Sequence, residues 1–336
     1  MTGSGNHPTS ARVARLLGPG RLVWEEEALP GSLPAGTVLC RTVASAISPG
    51  TELAAYLGAP PLRDVPAYPR VQGYCNVAEV LATGEGVRSV ARGDRVLTFS
   101  SHRSHFVLDE SEVLLCLPDG CPADVASVTY LFHLGYNAIL RSRVLAGSRV
   151  VVLGLGALGL ATVAVARMAG ARVLAVSEHE RARQLAADFG AEAAEGRQAA
   201  GSRTDWADVV VATTNSWSDW HLALRVAARM GTVAVLGFPG RESPPGDFNP
   251  LDSRFFYAKQ LRIEAVGLSP ERPDSRGFLR FNERDNLQFL LDRIRDGGLP
   301  AGRMISGRFP PDRLEEAYRS LVERRDSPVT YVLEWA

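Results

Sequence analysis

Lysine is nearly missing from this chain: Lys259 stands alone, so the basic residues are almost all arginine. That bias follows GC-rich codon usage and hints at a bacterial source. An excess of one charge is missing too, because Lys+Arg and Asp+Glu number 37 each. The balance argues against nucleic acid or an anionic membrane as main partner, and a small neutral or weakly charged molecule fits better. Cysteine is scarce, and Cys40, Cys75, Cys116 and Cys121 form no CxxC pair. Neither a disulfide framework nor a cysteine-rich zinc knuckle is supported. No uninterrupted run of about 18 apolar residues occurs. The opening "MTGSGNHPTSARVAR" has no apolar leader segment. The expectation is a soluble, cytoplasmic protein with a loose N-terminal tail.

What is present divides the chain by texture, and 336 residues suit about two domains. From Arg12 to about Cys121, short apolar runs such as "AGTVLCRTVASAIS", "QGYCNVAEVLATG" and "GDRVLTFS" alternate with Gly and Pro. This is the pattern of a β-rich domain. From Pro122 the stretch "PADVASVTYLFHLGYNAILRSRV" has helical spacing. Then "SRVVVLG", "ARVLAVS", "ADVVVAT" and "GTVAVLGF" alternate with Ala-rich helical stretches. That alternation predicts βαβ units and a parallel sheet buried on both faces. The end reads as a strand in "QLRIEAVGLS", helices in "RDNLQFLLDRIRDGGL" and "PDRLEEAYRSLVERR", and a closing strand "VTYVLEW". The expected division is 1–130, 131–267, and a return to the first domain over 268–336.

The motif with the most chemistry is "GLGALG", placed between a strand and a helix. Gly154 allows the tight turn, Gly156 lets backbone approach a pyrophosphate, and Gly159 lets helix and strand pack closely. Ala157 and Leu158 open the helix, whose unpaired N–H groups face the phosphates. The end of the second strand chooses between NAD(H) and NADP(H). Ser177 with Arg181 favours NADP(H), whereas Glu178 keeps NAD(H) open. Thr213 and Gly237 follow later strands, at the ends where open α/β sheets bind ligands.

These parts, in this order, resemble the medium-chain dehydrogenase/reductase superfamily over nearly the whole chain. The resemblance rests on "SPGTEL", "GYCNVAEV", "GDRV", "AGSRVVVLGLGALG", "LAADFGA", "GTVAVLGF" and "RFPPDRLEEAYRSL". It implies an α/β protein: a GroES-like β-rich catalytic domain plus a Rossmann-type doubly wound parallel sheet, a cofactor cleft between them, a small-molecule substrate and a homodimer. Many members hold a catalytic zinc through a "CGTD"-like stretch, a "GHE" stretch and a third ligand near position 130. Here Pro49, Tyr74 and Tyr130 fall at those places, with Cys75 where the Glu would be. Proline cannot ligate zinc and neutral tyrosine is a poor ligand. The match is therefore to a zinc-independent branch, with no metal expected. An improvised site from His102, His105 and Cys75 is a rival, though two histidines three apart on one extended strand would face opposite sides.

Without a metal to polarise a carbonyl, the easier acceptor is a conjugated C=C–C=O, where charge spreads to an enolate. Quinone-reductase and enoyl-reductase relatives work on such acceptors. Ketone or alcohol interconversion driven by side-chain acids, and a non-catalytic NADPH sensor, stay open. Tyr74 is the candidate proton donor. Thr51 matches the hydroxyl that relays a proton in zinc relatives. His102 and His133 are further candidates, and for all four a plain packing role competes.

Overall fold

The computed structural model describes residues 7–59, 67–241, 248–267, 269–270, 276–324 and 326–335. The tail expected to be loose falls mostly in 1–6, outside the described residues. The chain divides into two units, 1–129 with 305–336 and 130–304.

The second unit is built on a six-stranded parallel sheet. Its order is Ala193–Glu195, Arg172–Val176, Arg149–Leu153, Ala207–Ala212, Ala227–Val235, Arg262–Ala265. In sequence terms this is 3-2-1-4-5-6, the doubly wound order, and it reverses between Arg149–Leu153 and Ala207–Ala212. Both strands are near-continuous Val runs because each is covered on two faces. Val151, Leu153, Val210, Leu224 and Val233 form the centre of the core. The first helix after the sheet begins, Ala157–Met168, starts directly from the glycine turn.

The first unit pairs strands antiparallel around Thr37–Ala46, which bonds to Cys75–Thr83, His105–Asp109 and the closing strand Thr330–Glu334. A smaller sheet joins Ser10–Leu16 to Leu22–Ala28 and Arg70–Val71. Two apolar clusters lie within the unit, one around Leu16, Ile47, Tyr318 and Leu333, the other around Val38, Val80, Val96 and Phe106.

Three local expectations change. The long helical stretch after Pro122 is two helices, Ala123–Ser127 and Thr129–Arg141. His102 and His105 do not share a strand: the strand starts at His105 and His102 lies in the bend before it. The chain returns to the first unit at Ile305, not at 268. The helix Glu283–Arg295 stays in the second unit because Asn286 bonds Ser269 and Phe289 packs on the Tyr136 ring.

Candidate functional site

In the second unit, the residues of the glycine motif meet their expected constraints. Gly154 has φ +91°, and a Cβ there would lie 2.4 Å from the Thr214 side chain. A Cβ at Gly159 would lie 1.9 Å from the Gly154 carbonyl oxygen, so only glycine permits this closeness. Gly156 differs: apart from its chain neighbours, no atom of the described residues lies within 4 Å of its Cβ position. The protein's own packing does not require glycine there, and a phosphate approaching the backbone would. Ala157 is buried, while Leu158 is half-buried beside the turn. Thr213 donates its hydroxyl to the carbonyls of Leu153 (2.9 Å) and Gly154 (3.1 Å), fixing the turn where the strand order reverses. Gly237 packs on the Thr213–Thr214 backbone, with 2.3 Å from its Cβ position to the Thr214 oxygen.

Ser177 follows the second strand and accepts the His179 N–H at 3.1 Å. Arg183 is spent on local structure, since its guanidinium donates to the Ser177 and Glu178 carbonyls. Arg181 is exposed. The Glu178 carboxylate accepts the backbone N–H of Arg197 at 2.6 Å. Arg197 in turn donates to Asp219, which also accepts from Thr214. Sequence reading missed this Glu178–Arg197–Asp219–Thr214 connection, because Arg197 and Asp219 open two different helices and Glu178 and Thr214 follow two different strands.

The first unit holds the other candidates. Antiparallel register pairs Ser45 with Asn76 and Ala46 with Cys75. Continuing it brings the chain after Ala46 alongside Tyr74. Ser48 caps the helix Pro49–Tyr56, yet its hydroxyl is not used on the helix. The Glu52 carboxylate instead accepts the Ser48 N–H at 2.6 Å, and the Ser48 hydroxyl lies 2.5 Å from Tyr74 OH. Thr51, on the same helix, also bonds the Tyr74 phenol. Burial, together with Cys75 and Glu52, pushes the Tyr74 phenol above its ordinary value, outweighing the hydrogen bonds that would lower it.

Glu52 is 1% exposed and fully satisfied. Its second oxygen accepts from Tyr318 OH at 2.6 Å and lies 2.9 Å from His102 Nε2. His102 Nδ1 is 2.8 Å from Ser45 Oγ, which also accepts the Trp335 indole N–H. Both ring nitrogens are therefore engaged inside the core, and Gly73 lies against the ring, 2.7 Å from its own Cβ position. His102, expected among catalytic groups, is an internal anchor in this arrangement. Ser48 and Glu52 lie in "SPGTEL" and Tyr318 in "RFPPDRLEEAYRSL", but nothing in the sequence joins the two motifs. His133 belongs to the second unit, is fully buried, and is pushed down to about 4 by that burial.

The three positions that the resemblance assigns to zinc ligands hold Pro49, Tyr74 and Tyr130. Pro49 heads a helix, Tyr74 is bonded to Ser48, and burial raises the Cys75 thiol well above its ordinary value. No three His, Cys, Asp or Glu side chains converge as a metal site among the described residues.

A family model described as zinc-binding dehydrogenase matches residues 157–283. The chain is 35% identical over 120 residues to a mycocerosic acid synthase-like polyketide synthase of Mycolicibacterium smegmatis, which spans 34% of this chain and 6% of that protein. It is 28% identical over 223 residues to the quinone oxidoreductase of Mus musculus, 61% of this chain and 64% of the relative. The chain thus spans less than two thirds of each of these relatives. Among solved structures, the 2R,3R-butanediol dehydrogenase of Bacillus subtilis matches with TM-score 0.80 at 20% identity, covering 97% of this chain and 99% of that one. A zinc-binding dehydrogenase of Sinorhizobium meliloti 1021, bound to NADP, matches with TM-score 0.78 at 20% identity, covering 97% and 100%. Glycine turn, sheet order, the family model over 157–283 and the whole-chain fold agree in likening the chain to zinc-binding dehydrogenases.

Proposed function

We propose that the protein is an NADPH-dependent oxidoreductase that reduces the conjugated C=C of a small enone without catalytic zinc. The observation that carries this reading is the Ser48–Tyr74–Thr51 hydroxyl cluster at the positions where relatives keep metal ligands. The dinucleotide is held by the Gly154–Gly159 turn, the N-terminus of Ala157–Met168, Thr213 and Gly237. Ser177 and the exposed Arg181 favour the extra phosphate of NADPH, and Glu178 is turned onto the Arg197 backbone. The NADP-bound relative of the same fold is consistent with that choice.

A bound NADPH supplies the hydride, and the chain's own residues act at the substrate oxygen. Tyr74 donates its O–H to the carbonyl. As hydride reaches the β-carbon, the C=C electron pair moves toward that oxygen, and the enolate charge is spread over three atoms. A neutral phenol suits such a delocalised charge better than a localised alkoxide. Proton transfer from Tyr74 to the enolate oxygen gives the enol, which becomes the saturated ketone by taking a proton from water at the α-carbon as its O–H proton is lost, with Ser48 and Thr51 positioned to return a proton to the phenol. Because the phenol is raised above 10, it stays protonated through the ordinary pH range.

The test is NADPH oxidation against a panel of cyclic and open-chain enones and their saturated ketones, with metal analysis of the same sample. Enone-dependent oxidation with substoichiometric zinc supports the reading. Oxidation only with ketones refutes enone reduction, stoichiometric zinc refutes the metal-free mechanism, and NADPH binding with no oxidation at all indicates a sensor.

A further inference from the structure

The helix Thr129–Arg141 carries His133 and Asn137 four residues apart, which sets them on one face with Cβ atoms about 6 Å apart. Both are buried, at 0% and 2% exposed. Neither ring nitrogen of His133 has a hydrogen-bond partner among the described residues, nor does the Asn137 amide nitrogen. Buried polar atoms are nearly always bonded, so two bare groups on one helical face need a reason.

The neighbouring chain of hydrogen bonds settles which end of Asn137 is left over. Asn286 donates its amide to Ser269 Oγ at 3.3 Å, and Ser269 donates its single hydroxyl hydrogen to Asn137 Oδ1 at 2.6 Å. The amide oxygen is therefore used and the NH2 group remains as a donor. His133, kept neutral by burial, adds one N–H donor and one acceptor nitrogen. The pair offers donors but no positive charge. A carboxylate or phosphate would lack a counter-charge there, whereas an uncharged carbonyl oxygen would satisfy both donors.

We propose that His133 and Asn137 bind an uncharged carbonyl oxygen of a ligand. Two sources share this chemistry, the carboxamide of a nicotinamide dinucleotide and the ketone oxygen of an enone; both rest on the oxidoreductase reading. The half-buried Tyr136 ring, on the same helix, packs 5.7 Å from Phe289.

The experiment is 15N-histidine NMR of the full chain, with the His133 signal assigned through His133→Leu, during separate titrations with NADP+ and cyclohex-2-enone. Movement of the signal by NADP+ alone supports the carboxamide source. Movement by cyclohex-2-enone, alone or after NADP+ saturation, supports the substrate source. Asn137→Leu should weaken the responding probe about tenfold. His133→Leu should raise the melting temperature by about 2–4 °C, since it removes a bare buried polar ring. NADPH binding is followed separately by its own fluorescence. If NADPH binds and neither probe moves the His133 signal, this proposal fails while the cofactor reading stands. If cyclohex-2-enone moves the signal and NADPH does not bind, the cofactor reading fails and the carbonyl site stands. A lowered melting temperature in His133→Leu also overturns the proposal, because it would mean the ring nitrogens are structurally satisfied.

Discussion

At the scale of single residues, His133 and Gly159 give the sharpest consequences. His133 has its conjugate-acid pKa lowered from 6.5 to about 4 in the folded chain. Between those values the unfolded chain binds a proton that the native chain refuses, so stability falls as pH drops from about 6.5 to about 4. The loss reaches about 3 kcal/mol at the lower end. Urea unfolding across that window should show it, and His133→Leu should remove that share of the slope; an unchanged slope would mean the native ring is protonated. Gly159→Ala puts a methyl 1.9 Å from a carbonyl oxygen that Thr213 also grips. Dinucleotide affinity should fall by at least about tenfold while the rest of the sheet survives, which calorimetry and circular dichroism read together. These glycines were legible in the sequence because local backbone demands fix them. The orphaned state of His133 was not, since burial and the lack of a partner are set by distant chain.

At the scale of elements, the helix Pro49–Tyr56 is held by an internal carboxylate rather than by its cap. Glu52 takes the Ser48 N–H, the Tyr318 hydroxyl and the His102 ring, joining three segments of the first unit. Glu52→Gln would force an NH2 group against one of these donors and should destabilise the chain by about 2–3 kcal/mol. Tyr318→Phe leaves Glu52 two partners and should cost about 1 kcal/mol. Denaturant unfolding gives the order directly, and equal losses would contradict the network. The strands themselves could be read from apolar runs and turns, and the Ala46–Cys75 register then carries Tyr74 to Ser48. The carboxylate anchor could not be read, because Glu52 and Tyr318 are 266 residues apart and no periodic pattern relates them. His102 shows the same limit: a histidine in a loop has no sequence mark separating an exposed acid–base group from one buried against Glu52.

At the scale of the whole molecule, each unit carries its own part of the proposed function, the hydroxyl cluster in one and the dinucleotide turn in the other. The boundary near residue 130 was legible as a change from short strands to βαβ texture. The return at Ile305 was not, because the helix Glu283–Arg295 is amphipathic whichever unit it covers, and only its contacts to Ser269 and Tyr136 assign it. Cofactor choice belongs to this scale. Arg181→Ala should weaken NADPH by about tenfold and leave NADH nearly unchanged, as measured by fluorescence titration. Equal weakening of both would remove the phosphate contact from the account. The central claim is that Tyr74 does at the substrate oxygen what a metal does in zinc relatives. Its most direct test is steady-state turnover of Tyr74→Phe with NADPH and the best enone of the panel, with and without chelator. The account predicts a fall in kcat of about a hundredfold, unchanged NADPH affinity and no effect of chelator on the wild type. Full turnover by Tyr74→Phe, or loss of wild-type turnover on chelation, would contradict it.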